Sequence, residues 1–132
     1  MAQDNISGRA AIVGLGATEF SKNSGRTELR LALEATLAAL ADAGIAPEDV
    51  DGFSSYTVDK VPEYETARLL GAKDVKFFSQ VPHGGGAACA PVLHAAMAVA
   101  TGVARTVVVY RAMNERSWYR FGSGSYGFAS TP

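Results

Sequence analysis

The sequence predicts an α/β fold in which strands and helices alternate in the order βαβαβαβ around a mostly parallel sheet. Short apolar runs alternate with longer segments of helical spacing along the chain. Strands that alternate with helices pair in parallel through right-handed crossovers. A central helix rich in alanine has apolar residues on all sides, which indicates burial between two layers.

The first strand is predicted over residues 10–15, a continuous apolar run of the kind found in buried central strands. The first helix is predicted from residue 27 to residue 43. Its leucines recur close to the spacing of one buried face, at Leu29, Leu33, Leu37 and Leu40. Gly44 is placed to end this helix in the left-handed conformation.

The rest of the chain continues the alternation of strands and helices. Further strands are predicted over residues 52–58, 75–81 and 106–110. Helical segments are predicted over residues 47–50, 62–70 and 84–100. We therefore expect residues 1–112 to form one incomplete half of a larger fold, and residues 113–132 to begin an irregular loop region.

Composition limits the function classes. Hydrophobic residues make up 48% of the 132-residue chain and the net charge is −1, so nucleic acid and anionic membranes are not expected partners. The single cysteine, Cys89, excludes an internal disulfide or multi-cysteine metal site and fits the cytoplasm. No metal site, membrane span or signal peptide is expected.

The most informative segment is the turn that enters the alanine-rich helix. Gly84, Gly85 and Gly86 permit close backbone approach by a ligand, and the helix N-terminus that follows presents free N–H groups. These groups suit a thioester carbonyl, an enolate oxygen or a phosphate. The alternative is a tight turn between packed elements. We predict that His83, the three glycines and Cys89 line the active site.

The helix itself raises two structural questions. Pro91 cannot sit in a regular helix interior, so either the helix begins after the glycines or its first turn is irregular. The alanine-rich helix also needs a second sheet to cover it, which this chain does not contain. His94 within it fits a core or interface histidine better than a catalytic one.

Other motifs carry weaker signals. Gly14 and Gly16 follow a predicted strand, but Glu19 stands where a dinucleotide fingerprint needs its third glycine. Asn114 and Glu115 follow the last strand and form a possible substrate loop. A solvated or capping role suits these two residues at least as well.

Several motifs together resemble the thiolase superfamily, specifically its lipid-transfer-protein, sterol-carrier-like branch. The matching pieces are AAIVGLGATEF at 10–20, SKNSGR at 21–26, DAGIAPEDVDG at 42–52, GGGAAC at 84–89, HAAMAVATGVA at 94–104 and NERS at 114–117. They span nearly the whole chain. The resemblance is closest to actinobacterial aldolases that shorten the steroid side chain.

The resemblance also bears on Cys89. Thiolases carry a nucleophilic cysteine at the start of the corresponding helix. Counting back from Gly102 in the family spacing places Gly85, not Cys89, at the nucleophile's position. Cys89 would then lie one helical turn deeper among alanines, as an inert small hydrophobe. Acyl transfer would be lost, while enolate stabilisation would remain available.

The resemblance therefore implies an aldolase that cleaves a 17-hydroxy steroid side-chain CoA thioester to a 17-ketosteroid and propionyl-CoA. It implies no cofactor beyond the CoA thioester substrate, a homodimer joined through residues 75–81, and an OB-fold acyl-CoA-binding partner. The acid and base groups, expected to be tyrosines, would come from an absent second half, so the chain alone is predicted to be inactive. A degradative thiolase using Cys89 and a non-catalytic lipid-binding or scaffold protein stay open as alternatives.

Overall fold

The computed structural model describes residues 5–56, 61–81 and 89–114. Its elements follow in the order α1 (Glu28–Ala43), a 3-10 turn (Pro47–Asp49), β1 (Gly52–Tyr56), α2 (Glu63–Leu70), β2 (Phe77–Val81), α3 (Ala90–Ala100) and β3 (Val107–Val109). Strands and helices alternate, which confirms the predicted α/β class.

The three strands form one sheet in the order β2-β1-β3. Both strand pairs are parallel, with Gly52 aligned to Phe77 on one side and to Val107 on the other. The parallel pairing is therefore confirmed. The central strand β1 is buried along its whole length, whereas β2 lies at an edge of the described sheet.

Local sequence signals set the ends of α1. The Thr27 side chain accepts a hydrogen bond from the Arg30 N–H at 3.2 Å, and Gly44 ends the helix with a φ of 67°. The buried side of the helix is formed by Leu31, Ala32, Thr36 and Leu40. Of the predicted leucine row, Leu40 is buried and Leu29 and Leu33 are partly buried against the core, whereas Leu37 is exposed. Leu31 and Ala32, which the row did not include, are also buried in the core.

The segment predicted as the first strand, residues 10–15, is not a strand. Within the described residues no strand pairs with it, and Ile12, Val13 and Leu15 are exposed. It runs along α1 instead, where the Leu15 N–H donates to the Asp42 carboxylate at 2.9 Å. The apolar run satisfied the local pattern of a strand, but a strand forms only where a neighbour accepts its hydrogen bonds.

Glycine allows this segment to lie close to the helix. A Cβ added to Gly14 would overlap the Ala39 carbonyl oxygen, and one added to Gly16 would overlap that of Ala35. These glycines therefore serve close backbone packing rather than a nucleotide-binding turn.

The main core lies between the sheet and the first two helices. Its principal members are Leu31, Leu40, Phe53, Val61, Leu70 and Tyr110. Phe53 is fully buried and stacks on Phe78 of β2, with ring centroids 6.1 Å apart. This core fixes the two helices against one face of the sheet.

Helix α3 contacts all three strands of the sheet. It begins at Ala90 with Pro91 in its first turn, so of the two alternatives the later helix start is confirmed. Pro91, Ala95 and Ala98 are buried, whereas the larger side chains Val92, Leu93 and Met97 are exposed. No helix in the described part of the chain is long and apolar enough to cross a membrane.

Candidate functional site

The carboxyl ends of the three parallel strands lie at one edge of the sheet, at Tyr56, Val81 and Val109. In open α/β sheets, ligands bind beyond the carboxyl ends of the strands. This edge is therefore the candidate site. Of the residues predicted to line the site, His83, Gly84, Gly85, Gly86 and Glu115 lie outside the described residues. Their role stays a prediction.

Cys89 occupies a different environment from the one we expected. It is exposed and immediately precedes α3 as the N-cap residue, with φ −87° and ψ −12°. The expected position one helical turn deep among alanines was wrong, while the inertness of the thiol stays a prediction. The physical reason is Pro91, which is tolerated in the first helical turn and so sets the helix start at Ala90.

Arg111 joins the ends of two strands at this edge. It follows β3, and its guanidinium lies 5.2 Å from the ring centroid of Tyr56, the last residue of β1. A cation over an aromatic face at this distance is stabilising. The contact places a positive charge beside the carboxyl end of the central strand.

Asn114 connects two distant parts of the chain. It is only 7% exposed, and its Oδ1 accepts a hydrogen bond from the Ser24 hydroxyl at 3.1 Å. Its Nδ2 donates to the Arg26 carbonyl oxygen. The Arg26 N–H in turn donates to the Ser24 hydroxyl oxygen at 3.2 Å. We call Ser24, Arg26 and Asn114 the amide clasp. Asn114 is therefore buried and bonded, not solvated.

Charged groups hold the same loop from the other side. The Arg26 guanidinium forms ion pairs with Glu19 and Glu34, and Arg30 binds Glu34 at 2.9 Å. The hydrogen bond from Arg30, together with the nearby charge of Arg26, holds the pKa of Glu34 below its ordinary value. The loop is thus fixed to α1 as well as to the segment after β3.

A cleft of about 530 Å³, which we call the carboxyl-edge cleft, opens between the segment before α1, α1 itself and the segment after β3. It is lined by residues 16–22, Ser24, two positions of α1 and residues 111–114. Apolar side chains such as Phe20, Leu31 and Met113 share the lining with Lys22 and Arg111. Its volume falls within the range of small-molecule sites, and Phe20 in its lining is fully exposed.

The His94 side chain has a hydrogen-bond partner within the fold. Its Nδ1 lies 2.7 Å from the Ser79 hydroxyl on β2, and the side chain is partly buried. This contact ties α3 to the edge strand. It fits the structural interpretation of this histidine.

A second cavity, of about 430 Å³, lies at the amino ends of the strands. Its lining includes Asp51, Asp74, Lys76 and Arg105. The Asp51 carboxylate accepts hydrogen bonds from backbone N–H groups at the start of β3, so its function is to join strands. Among the described residues, no group of three potential metal-binding side chains could hold an ion.

Two curated relatives match most of this chain. A 17-hydroxy-3-oxo-4-pregnene-20-carboxyl-CoA lyase of Mycobacterium tuberculosis is 65% identical over 117 residues, which cover 89% of this chain and 30% of the relative. A steroid side-chain-cleaving aldolase of Thermomonospora curvata is 61% identical over 122 residues, covering 92% of this chain and 31% of the relative. This chain is homologous to one part of these aldolases. It spans about 30% of the length of the relatives it matches.

Solved structures give the same answer for the fold. The Ltp2-ChsH2(DUF35) aldolase superimposes with a TM-score of 0.83 at 61% identity, over 86% of this chain and 30% of that chain. The 3-oxoacyl-(acyl-carrier-protein) synthase III of Aquifex aeolicus superimposes with a TM-score of 0.52 at 22% identity. The superposition covers 64% of this chain and 29% of that chain. The latter shows the fold alone, which is thiolase-like as predicted. No protein-family model matches the chain.

Reasoning from the sequence did not find the amide clasp or the contact between Arg111 and Tyr56. The sequence did contain a signal for the clasp, because the combination of the SKNSGR, GGGAAC and NERS motifs is fairly specific to the aldolase group that the chain resembles. The structure shows that Ser24 of the first motif bonds Asn114 of the second.

Proposed function

We propose that this chain is the N-terminal part of a carbon–carbon lyase that cleaves a 17-hydroxy steroid side-chain CoA thioester to a 17-ketosteroid and propionyl-CoA. The observation that carries the proposal is the 65% identity over 117 residues to a 17-hydroxy-3-oxo-4-pregnene-20-carboxyl-CoA lyase. The carboxyl-edge cleft, with apolar and cationic lining, supports it, since a steroid CoA ester combines hydrocarbon with phosphates.

The reaction is a retro-aldol cleavage. A general base removes the proton of the 17-hydroxyl group, and the oxygen forms the new ketone as the bond to the carbon α to the thioester breaks. The electron pair of that bond becomes the thioester enolate, which hydrogen-bond donors stabilise and a proton then quenches. We propose that the three glycines at residues 84–86 form the enolate site and that the acid and base come from the part of the relatives that this chain does not span.

The exposed apolar side of α3 supports the proposal that a second thiolase-like half packs against this helix. Val92, Leu93 and Met97 are 43–51% exposed on a helix whose other side packs on the sheet. An apolar helix with no polar side is typically buried on both sides. We therefore propose that the second thiolase-like half covers this side, and that residues 113–132 begin an irregular loop region.

We also propose a homodimer joined through β2. Phe77–Val81 pairs with β1 on one side and forms an edge of the described sheet, with Phe78 half exposed. An edge strand presents unpaired backbone groups that suit pairing with a second copy. The Ltp2-ChsH2(DUF35) aldolase supports the further proposal of a separate partner protein, for which the family resemblance implies an acyl-CoA-binding OB fold. The single cysteine supports a cytoplasmic location.

The decisive experiment incubates the intact enzyme and its partner with the 17-hydroxy CoA ester. Formation of both the 17-ketosteroid and propionyl-CoA is expected. Binding of the ester without release of propionyl-CoA would instead favour a non-catalytic lipid-binding role. The 132-residue chain alone is expected to show no turnover, because we propose that the acid and base groups lie in the part of the relatives that this chain does not span.

A degradative thiolase is the second candidate, and the exposure of Cys89 before α3 favours it. This chemistry requires a cysteine side chain that the substrate can reach. Cys89→Ser in the intact enzyme separates the two candidates. The lyase should retain cleavage of the 17-hydroxy ester, whereas a thiolase should lose acyl transfer almost completely.

A further inference from the structure

Asn114 stands where the chain leaves the sheet toward the candidate site. It lies five residues after the end of β3 and is buried, and it belongs to the lining of the carboxyl-edge cleft. Both ends of its amide are bonded, the oxygen to Ser24 and the nitrogen to the Arg26 carbonyl. A buried amide with both ends satisfied has a single orientation.

The amide clasp sets the position of one wall of the cleft. Ser24 lines the cleft itself, and the segment just before it supplies Phe20 and Lys22 to the lining. Glu19, which precedes Phe20 in the chain, forms an ion pair with Arg26. The loop wall is therefore bonded to the segment after β3 through Ser24 and Arg26, across 88 to 90 residues of sequence.

We propose that Asn114 is a positioning residue for substrate binding, which holds the Ser24 and Arg26 loop so that its wall of the cleft packs against the steroid CoA ester. This inference rests on the proposed function. Asn114 acts through the loop rather than on the reacting atoms. Its loss should therefore weaken substrate binding and leave the chemical step nearly unchanged.

The test uses the intact enzyme with its partner and the 17-hydroxy CoA ester. Asn114→Asp keeps the oxygen that accepts from Ser24 but removes the donor to the Arg26 carbonyl. We expect KM to rise about tenfold, with kcat within about twofold of wild type. The matched control is Asp51→Asn at the opposite edge of the sheet. It should lower the free energy of unfolding about as much as Asn114→Asp does, while leaving KM within about twofold of wild type.

Ser24 supplies a second, milder pair of variants in case Asn114→Asp does not fold. Ser24→Thr keeps the hydroxyl and should leave KM near the wild-type value. Ser24→Ala loses the hydroxyl and should raise KM several-fold. An unchanged KM in Asn114→Asp and Ser24→Ala, or a fall in kcat alone, would overturn the proposal.

A wild-type enzyme that fails to cleave the ester refutes the proposed function but not the positioning role. The dissociation constant for the same ester, measured by calorimetry, then decides. A Kd about tenfold higher for Asn114→Asp than for wild type supports the positioning role. Equal Kd values, or no binding to the wild type, overturn it.

Discussion

The Asp51 carboxylate accepts a hydrogen bond from the backbone N–H of Thr106 at 2.8 Å, across 55 residues of sequence. It also accepts from the Arg105 N–H at 2.9 Å. The Asp51 backbone completes the junction, because its N–H donates to the Thr106 carbonyl and its own carbonyl accepts from Lys76 and Phe77. One buried residue thus joins the amino ends of all three strands.

This junction predicts a graded loss of stability. Asp51→Ala leaves the Arg105 and Thr106 N–H groups without their acceptor and should lower the free energy of unfolding by about 3 kcal/mol. Asp51→Asn keeps one acceptor oxygen and should lose about 1 kcal/mol. Urea unfolding of the intact enzyme measures both. Equal losses for the two variants would show that the charge, not the acceptor geometry, stabilises the junction.

Two neighbouring serines of β1 should respond in opposite directions. The Ser55 hydroxyl donates to Glu63, so Ser55→Ala should lower the free energy of unfolding by about 1–2 kcal/mol. Ser54 is fully buried, and its hydroxyl has no hydrogen-bond partner within the described structure. Ser54→Ala should therefore be neutral or stabilising by up to about 1 kcal/mol.

The same urea titration compares the two serine variants, each serving as the other's control. A loss for Ser54→Ala as large as that for Ser55→Ala would mean that the Ser54 hydroxyl is bonded in solution, for instance to buried water.

Gly16 should tolerate no side chain. Its added Cβ would overlap the Ala35 carbonyl oxygen of α1, a backbone atom that cannot move aside alone. Gly16→Ala should displace the segment from the helix and increase its cleavage in limited proteolysis. Ala11→Ser, an exposed position on the same segment, is the matched control and should leave the cleavage rate unchanged.

The titration of Glu34 should depend on Arg30. Arg30→Gln removes the main cause of the lowered pKa, so the pKa of Glu34 should rise toward its ordinary value. A carboxyl whose folded pKa is lowered stabilises the fold above its unfolded pKa and loses that contribution as the pH falls through the folded value. In the variant the folded and unfolded pKa values lie closer together, so this contribution at neutral pH, and the loss of it on acidification, should both become smaller.

Carboxyl NMR titration of the isolated chain measures this pKa directly. Lys73→Gln, an exposed charge change outside α1, is the control and should leave the Glu34 titration where it is in the wild type. A Glu34 curve that is identical in wild type and Arg30→Gln would contradict the assignment of the cause.

The local signals in the sequence determined the alternation of elements and their parallel pairing. Thr27 and Gly44 set the ends of α1 through groups within four residues, so their effect could be predicted without the rest of the chain. For the same reason, Pro91 left only two alternatives for α3, a start after the glycines or an irregular first turn. The thiolase-like fold followed from motifs that span nearly the whole chain.

Only the tertiary structure decided the features that depend on distant partners. Residues 10–15 have the pattern of a strand but lie along α1, because strand formation requires a neighbour that the pattern cannot supply. Cys89 is exposed because of where the helix begins. The burial of Asn114 comes from a loop 88 to 90 residues away. Hydrogen bonds between remote segments carry no local periodicity, so their partners become visible only when the chain is folded.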